Sequence, residues 1–463
     1  MVEQKVRLLS LTISNLKNVS FGVINMPKSG EENGFSETAD VVGLYGQNGS
    51  GKTTVIQALE LFKKIASGES LWSDIADRIN IERESCGLKL FFAVQTKNAE
   101  QFHVCYSCEI AKRINARIGA GFLSEKISIS KKNEKDQFEQ KELVFSFSSK
   151  NSGIPFSPID KFESIIQNNQ KRLVKCLLTR EMAIKEHKSF IFSSDFQGLV
   201  SSSDEKQLFD VTASLIQFAK TNLFTIQNSH SGVISIDAVI PMAVKHKFQG
   251  GTAIGDIPIA QQGVVVSDEV TFKIIKSILY TMDSVIKALV PGLSIKVEEY
   301  GKELQKNGVV GIRYEVVSIR GGRPIPIRYE SEGIRKLLSV LNLIIASYNN
   351  SSICVAIDEL DAGIFEMLLG DLLKVFEESG KGQLIFSSHN LRPLETLNKG
   401  DIFFTTSNPN NRYIQLKDTY PFTNLRDCYI RILNIGGQDE ELATATDTTA
   451  IRRALRKAGA INA

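Results

Sequence analysis

Long hydrophobic runs are missing from this sequence. The longest candidate, Leu337 to Ala346, is interrupted by Ser339 and Asn342, whereas a helix needs about 18 consecutive apolar residues to span a bilayer. The first residues, MVEQKVRLLSLTISNL, carry charges where a secretory signal needs an apolar centre. We therefore expect no membrane association and a cytoplasmic protein.

An excess of one charge and a regular cysteine pattern are also missing. The net charge is only +3, which neither requires nor excludes nucleic acid. The six cysteines have no regular spacing, which predicts reduced core thiols. Cys105 and Cys108 form one CxxC without a second pair at metal-site spacing, and the alternating pattern around them predicts a strand rather than a zinc site.

The chain is organised around a phosphate-binding motif, which runs from Val41 to Thr54 as VVGLYGQNGSGKTT. An apolar run typical of a buried strand leads into it, and apolar residues at helical spacing follow it. Glycines let successive backbone N–H groups turn towards phosphate oxygens, and the helix N-terminus adds partial positive charge. The spacing is that of a P-loop, in which Lys52 reaches the β and γ phosphates and Thr53 holds Mg²⁺.

The chain length of 463 residues suggests about three units of roughly 150 residues each. We predict an N-terminal half of a P-loop core with an antiparallel β lobe in residues 1–150 and an inserted helical lobe in 151–290. A C-terminal half of the core follows in 291–420, and a tail in 421–463. Residues 226–265 show little periodicity and predict a loop-rich insertion, after which Ser267 is the expected N-cap of a helix.

Three motifs follow in the second half of the chain. Ser331-Glu332-Gly333 opens a helix, with Ser331 placed as its N-cap. A buried strand then ends in Asp358-Glu359, and a second buried strand ends in His389. Because ligands collect at the carboxyl ends of strands in open α/β sheets, the three strand ends should converge on one site.

The order of these motifs along the chain resembles that of the ABC-type ATPases. The order is the P-loop, the Ser-x-Gly before a helix, the strand with Asp-Glu, the Leu-Asp turn and the strand with His. The resemblance covers residues 1–66 and 290–407 and implies an α/β fold, an ABC-ATPase head with a P-loop core sheet, an antiparallel β lobe and an inserted helical lobe. The split core resembles the soluble branch, which includes RecF, SMC and the OLD ATPases of phage defence. The insertion has no coiled-coil heptads as in SMC proteins, and we expect no Toprim domain as in OLD proteins. The layout is therefore most similar to the standalone defence ATPases, such as the ATPase of the PARIS system, with the ATPase of the Septu system as a rival. Glu332 stands where transporters have glycine.

The resemblance implies ATP and Mg²⁺ as cofactors and assigns roles residue by residue. Glu359 would polarise the attacking water and His389 would contact the γ-phosphate, so these are the catalytic candidates. Thr53 and Asp358 would support Mg²⁺, and Gln197 is our candidate for the Mg²⁺-sensing glutamine, with Gln95 and Gln227 as rivals. The residues expected to bind nucleotide, the last three of them across a dimer interface, are Gly46, Asn48, Gly49, Ser50, Gly51, Lys52, Thr53, Thr54, Ser331, Gly333 and Asp361.

The resemblance also implies a function and partners. The first hypothesis is a slowly hydrolysing ATPase that acts as sensor and oligomeric scaffold in anti-phage defence. It would associate with itself through ATP-bound heads, hold a separate Toprim-type nuclease effector, and answer a phage trigger protein. The alternative is a RecF-like or SMC-like repair ATPase that clamps DNA, so nucleic acid stays open as a partner. A transporter motor is disfavoured because it has no place for the long insertion.

Overall fold

The computed structural model describes residues 4–460 apart from 113–119, 134, 136, 151–152, 228–238, 249–250, 261–262, 305–307, 309, 418–423 and 444–446. Its central sheet has the strand order β18-β17-β3-β16-β15-β8. The five strands from β17 to β8 are parallel, and β18 closes one edge in the antiparallel direction. The strands are β3 (Asp40–Tyr45), β8 (Leu223–Ile226), β15 (Cys354–Ile357), β16 (Gln383–Ser387), β17 (Ile402–Thr405) and β18 (Tyr413–Ile414).

Helices cover both faces of this core sheet, which explains why its strands are continuous apolar runs. Helix α1 (Lys52–Ala66) lies on one face, where alternate strand residues such as Val42 and Ala356 join its core. Helix α8 (Glu332–Asn349) lies on the other face with residues such as Val41 and Val355. The sheet is therefore almost entirely buried, and most of its polar residues are at the strand ends.

A second sheet of six antiparallel strands forms the predicted β lobe, in the order β2-β1-β4-β5-β6-β7. Its strands alternate between buried and partly exposed residues, as half-buried antiparallel strands do. Cys105 and Cys108 are buried in β5, and no group of potential metal ligands occurs in the described part of the chain. The strands are β1 (Lys5–Leu16), β2 (Val19–Asn25), β4 (Ser85–Gln95), β5 (Gln101–Lys112), β6 (Ala120–Lys131) and β7 (Glu142–Ser148), and the short α2 (Ile75–Arg78) precedes β4.

The segment predicted as an inserted helical lobe is only partly helical. Its first part forms α3 (Ile159–Ile166), α4 (Gln170–Glu186), α5 (Ser194–Ser201) and α6 (Lys206–Thr221), and α6 packs against α1. The chain then returns to the core sheet as β8 and continues into an antiparallel hairpin, β9 (Val239–Phe248) and β10 (Gly251–Ala260). The expected loop-rich insertion over 226–265 was therefore wrong for these strands, whereas residues 228–238, 249–250 and 261–262 lie outside the described part.

A third small sheet and further helices complete the chain. The sheet consists of β11 (Val265–Ser267), β12 (Ser294–Leu304), β13 (Val310–Arg320) and β14 (Arg323–Pro326). The helices are α7 (Glu269–Leu289), α9 (Glu366–Ser379), α10 (Pro393–Thr396), α11 (Leu425–Ile435) and α12 (Thr448–Ala460). Asp268, not Ser267, caps α7, because its carboxylate accepts the N–H groups of Val270 and Thr271.

The mixed α/β architecture predicted from the sequence is confirmed. The P-loop core sheet and the antiparallel lobe are both present, and the helices between them lie within residues 159–221. Among the described helices, none is both long and apolar enough to cross a membrane.

Candidate functional site: the P-loop and the strand ends around it

The P-loop connects β3 to α1 through backbone conformations that favour glycine. Gly46, Gly49 and Gly51 have φ values of 147°, 73° and 102°, a region that side chains with a Cβ rarely adopt. Gly46 also lacks room for a side chain, since a Cβ there would lie 1.7 Å from Thr405 Oγ1. These conformations turn the loop above the N-terminus of α1, where anions bind favourably.

Lys52 folds back over the loop that precedes it. Its Nζ donates hydrogen bonds to the carbonyl oxygens of Gly46 at 2.7 Å and Gln47 at 2.9 Å. Burial lowers the pKa of Lys52, and the carboxylates of Asp358 and Glu359 oppose that shift. The ammonium group is thus held at the loop, close to the negative charges of Asp358 and Glu359.

The carboxylate of Asp358 follows β15 and faces the start of α1. Its Oδ1 accepts hydrogen bonds from Thr53 Oγ1 at 3.2 Å and Ser387 Oγ at 2.6 Å. A hydroxyl and a carboxylate at this distance are the hard oxygen donors that Mg²⁺ takes alongside phosphate oxygens. The donor set of Thr53 and Asp358 therefore fits the predicted metal.

Glu359 adopts a left-handed conformation with φ of 49°, which is uncommon for a residue with a side chain. Its backbone N–H donates to Ser387 Oγ at 2.8 Å. Ser387 thus contacts both carboxylate residues, once through Asp358 Oδ1 and once through the Glu359 backbone. The sequence interpretation missed Ser387, although it ends β16 directly before Ser388 and His389 and shares the strand-end position of the other site residues.

A cavity of about 340 Å³ connects these groups. Asp361, in the turn after Glu359, fixes one side of it, because its Oδ2 accepts the backbone N–H groups of His389 and Asn390 at 3.0 Å each. The lining residues come from the loop after β1, the P-loop, β15 and β16 and are Lys17, Asn18, Asn48, Gly49, Ser50, Gly51, Lys52, Thr53, Thr54, Asp358, Glu359, Ser387 and His389. The strand ends that the sequence predicted to converge do so.

Ser331 and Gly333 do not line this cavity. Ser331 caps α8, as predicted, with its Oγ accepting the N–H of Ile334 at 3.3 Å. Gly333 contacts the turn after Glu359 so closely that a Cβ would lie 1.8 Å from the Gly363 carbonyl oxygen. Both residues line a separate cavity of about 430 Å³ whose surface is mostly apolar. One chain thus carries the P-loop residues and the Ser-x-Gly motif at two different cavities.

Comparison with known families agrees with this site. The family model described as the AAA ATPase domain matches residues 8–392, which is most of the chain. The chain belongs to this ATPase family. No curated protein sequence matches it.

Several solved structures are similar to this AAA-family chain. An Smc head bound to the C-winged helix domain of ScpA has 12% identity and a TM-score of 0.41, covering 89% of this chain and 98% of that chain. The SMC head domain from Thermotoga maritima has 11% identity and a TM-score of 0.39, covering 89% and 99%. The recombination mediator protein RecF with ATP has 12% identity and a TM-score of 0.36, covering 89% and 100%.

Gln197, our candidate for the Mg²⁺-sensing glutamine, is not among the residues that line the P-loop cavity. It is buried in α5, where its Nε2 donates to the Ile191 carbonyl at 2.7 Å and its Oε1 accepts from Thr212 Oγ1 at 2.9 Å. Gln95 ends β4 in the other sheet, beside Gln101. Neither of these two glutamines lines the P-loop cavity.

Gln227, the remaining rival, lies at the carboxyl edge of the core sheet. It follows β8, which pairs in parallel with β15 so that Ile226 is opposite Ile357. The Asp358 N–H donates to the Ile226 carbonyl at 2.8 Å, so Gln227 and Asp358 are neighbours at the carboxyl edge. Its side chain donates to Glu60 of α1. The signal in the sequence was the short apolar run before it, LFTI, which we took for part of the helical segment.

Lys17, a basic residue in the turn after β1 for which a phosphate contact and a solvated turn lysine are the two interpretations, lines the P-loop cavity. Its φ is 53°. Burial is the main cause that lowers its pKa, and Arg78 lowers it further. The position supports the phosphate contact.

Proposed function

We propose that the chain is an ABC-type ATPase head that hydrolyses ATP between two copies of itself. The observation that carries this is the separation of the P-loop cavity from Ser331 and Gly333, which line a different surface of the same chain. A second copy that presents its own Ser-x-Gly helix N-terminus to the P-loop would complete the site. A single copy would then hydrolyse ATP poorly.

The roles of the residues follow from their positions. Lys52 and the P-loop backbone would hold the phosphates, and Thr53 with Asp358 would hold the metal. Bound Mg²⁺ supplies charge neutralisation on the phosphate oxygens. Glu359 is the group that would orient and deprotonate water, and His389 and Gln227 flank it from the neighbouring strand ends. Phosphoryl transfer needs this kind of positioning and electrostatic stabilisation more than covalent chemistry.

We further propose that this ATPase is the sensor and scaffold of an anti-phage defence system that controls a separate effector nuclease. The support is the resemblance of its motif order and layout to standalone defence ATPases. A sensor needs two states with different affinities for a partner rather than fast turnover, so slow hydrolysis fits the role. The trigger would act by shifting the equilibrium between paired and separate heads.

A repair ATPase that clamps DNA is the second candidate, and one feature favours it. Helix α12 carries Arg452, Arg453, Arg456 and Lys457, and all four side chains are exposed. Basic side chains on one short helix suit phosphate contacts. The net charge of +3 adds no further attraction for DNA.

Light scattering of the purified protein tests the proposal. Its mass should rise to a dimer or larger assembly with ATP and Mg²⁺, most clearly in Glu359→Gln, and coexpression with its genomic neighbour should yield a stable complex. Dimerisation that requires DNA and ignores the neighbour would favour the repair clamp. A mass that never depends on nucleotide would exclude both.

A further inference from the structure

The edge hairpin of the core sheet contacts the P-loop from outside the region that the family model matches. Strands β17 and β18 lie in residues 402–414, whereas the match ends at residue 392. Thr405 and Tyr413 are directly opposite each other in this antiparallel pair. Side chains at such paired positions point to the same face of a sheet.

The two side chains reach opposite ends of the P-loop. Thr405 Oγ1 lies 3.1 Å from the Tyr45 carbonyl oxygen and 2.6 Å from Ser50 Oγ. The Tyr413 hydroxyl donates to the Gly51 carbonyl at 2.8 Å, just before the first residue of α1. The loop is therefore held at its entry, at Ser50 and at its exit.

The sequence leaves space for these contacts. The Tyr413 ring occupies the space beside Gly22, because a Cβ on Gly22 would lie only 2.4 Å from Tyr413 Cδ2. Thr405 likewise occupies the space that any side chain at position 46 would need. Burial raises the pKa of Tyr413 far above its ordinary value, which keeps the hydroxyl protonated and able to donate. Thr405 is fully buried, and Tyr413 nearly so.

We propose that Thr405 and Tyr413 are positioning residues that fix the P-loop in its phosphate-binding conformation before ATP arrives. A loop that is already ordered loses less conformational freedom when it binds a ligand. The hairpin therefore raises ATP affinity without contacting the reacting atoms. The inference rests on ATP binding at the P-loop.

The C-terminal tail braces the same hairpin. Arg412 donates to the carbonyls of Asn18 at 2.6 Å and Thr406 at 2.5 Å, and Asn18 in turn donates to Gly49 of the P-loop. The loop between β17 and β18 is held by the tail, because Asn408 and Asn411 donate to Glu440 at 3.1 and 2.9 Å. These contacts connect the tail to the P-loop.

The test compares Tyr413→Phe and Thr405→Val with wild type in two measurements on the full chain. Hydrogen exchange of the P-loop amides reports the order of the loop without nucleotide, and titration with MgATP reports the dissociation constant. Tyr413→Phe loses one buried hydrogen bond, and Thr405→Val loses the contacts with Tyr45 and Ser50. We therefore expect faster exchange at residues 46–52 and at least about 5-fold weaker ATP binding in each variant. The turnover number at saturating ATP should stay within about twofold of wild type. The free-energy cost of ordering the loop on binding raises KM but does not change the rate of the chemical step.

Two controls separate positioning from general stability. Tyr106→Phe removes another buried tyrosine hydroxyl, which bonds to Glu125 at 2.9 Å in the β lobe, and should leave both measurements unchanged. Thr405→Ser keeps the hydroxyl and should restore the wild-type values. Should Tyr413→Phe fail to fold, the Thr405 pair gives the same comparison.

The proposal is overturned if exchange in the P-loop is unchanged, or if exchange rises while ATP affinity does not fall. Equal weakening in Tyr106→Phe would also overturn it, because the effect would then be global. A failure of ATP binding itself is recognised separately. If ATP does not bind at the P-loop, Lys52→Ala will have the same ATP affinity as wild type. Hydrogen exchange without nucleotide still shows whether the hairpin orders the loop.

Discussion

Replacing Ser387 with alanine should slow ATP hydrolysis and leave nucleotide binding largely intact. The Ser387 hydroxyl donates to the Asp358 carboxylate at 2.6 Å and accepts the N–H of Glu359 at 2.8 Å. The change removes a hydrogen bond to a charged group, worth about 1.5 to 3 kcal/mol. It also leaves the Glu359 backbone, already in a left-handed conformation, without its acceptor.

If that energy is lost from the transition state, the turnover number falls by about 10- to 150-fold, since roughly 1.36 kcal/mol corresponds to a factor of ten. The Mg²⁺ concentration for half-maximal rate should rise as well, because partners of metal-binding carboxylates typically contribute about 10- to 100-fold to metal affinity or activity. Phosphate release at saturating ATP and varied Mg²⁺ measures both quantities.

Two variants control this experiment. Ser387→Thr retains a hydroxyl and should recover part of the rate. Ser214→Ala removes a buried serine hydroxyl that donates to the Asp210 backbone carbonyl in α6 at 2.6 Å, and this variant should hydrolyse ATP at the wild-type rate. A turnover number for Ser387→Ala within twofold of wild type would refute the reasoning that Ser387 holds the two carboxylate residues in place.

Three further outcomes are expected. Glu359→Gln should retain ATP and stay assembled in light scattering, whereas Lys52→Ala should lose ATP binding, and equal ATP affinities in the two variants would contradict these roles. Gly333→Ala should abolish ATP-dependent pairing but spare ATP binding by one copy, because its Cβ would meet a backbone carbonyl at 1.8 Å; a normal dimer would exclude the proposed interface. Burial and the neighbouring Glu377 raise the pKa of Asp401 to about 8, so its contribution to stability is complete below pH 4 and is lost as pH rises through 8. In Asp401→Asn, the melting temperature should therefore fall less between pH 4 and 8 than it does in wild type. An equal fall in both proteins would contradict the raised pKa of Asp401.

Local patterns in the sequence were sufficient for the elements that carry motifs. The P-loop, the strands before Asp358 and His389, and the helix capped by Ser331 each have a continuous apolar run or a helical period next to a turn or cap residue. Their convergence followed from the rule that strand ends share one edge. The resemblance then supplied the roles of Glu359 and His389.

Long-range pairing decided what the sequence left undetermined. Strand β8 has only four residues and joins the core sheet by pairing with β15, in which Cys354 is opposite Leu223. These two residues are 131 positions apart in the sequence (354 − 223). No local period marks such a strand, so Gln227 was ranked below Gln197. Ser387 was missed for the same reason, since a serine at a strand end gains meaning only from the carboxylates that the neighbouring strand brings beside it.

The turn after β15 connects the two proposed half-sites within one chain. Asp361 holds the backbone of His389 at the P-loop cavity, while Gly363, two residues later, contacts Gly333 at the start of α8. Lys336, one helical turn after Gly333, is buried, and burial lowers its pKa, while the charges of Glu359 and Asp358 oppose that shift. A shift of Glu359 or His389 on phosphate release would therefore also change the position of the Ser-x-Gly motif presented to the partner copy. Cores this closely packed transmit such shifts because they cannot deform continuously. The same contacts that position the proposed catalytic residues would thus couple hydrolysis in one site to the proposed pairing of the heads.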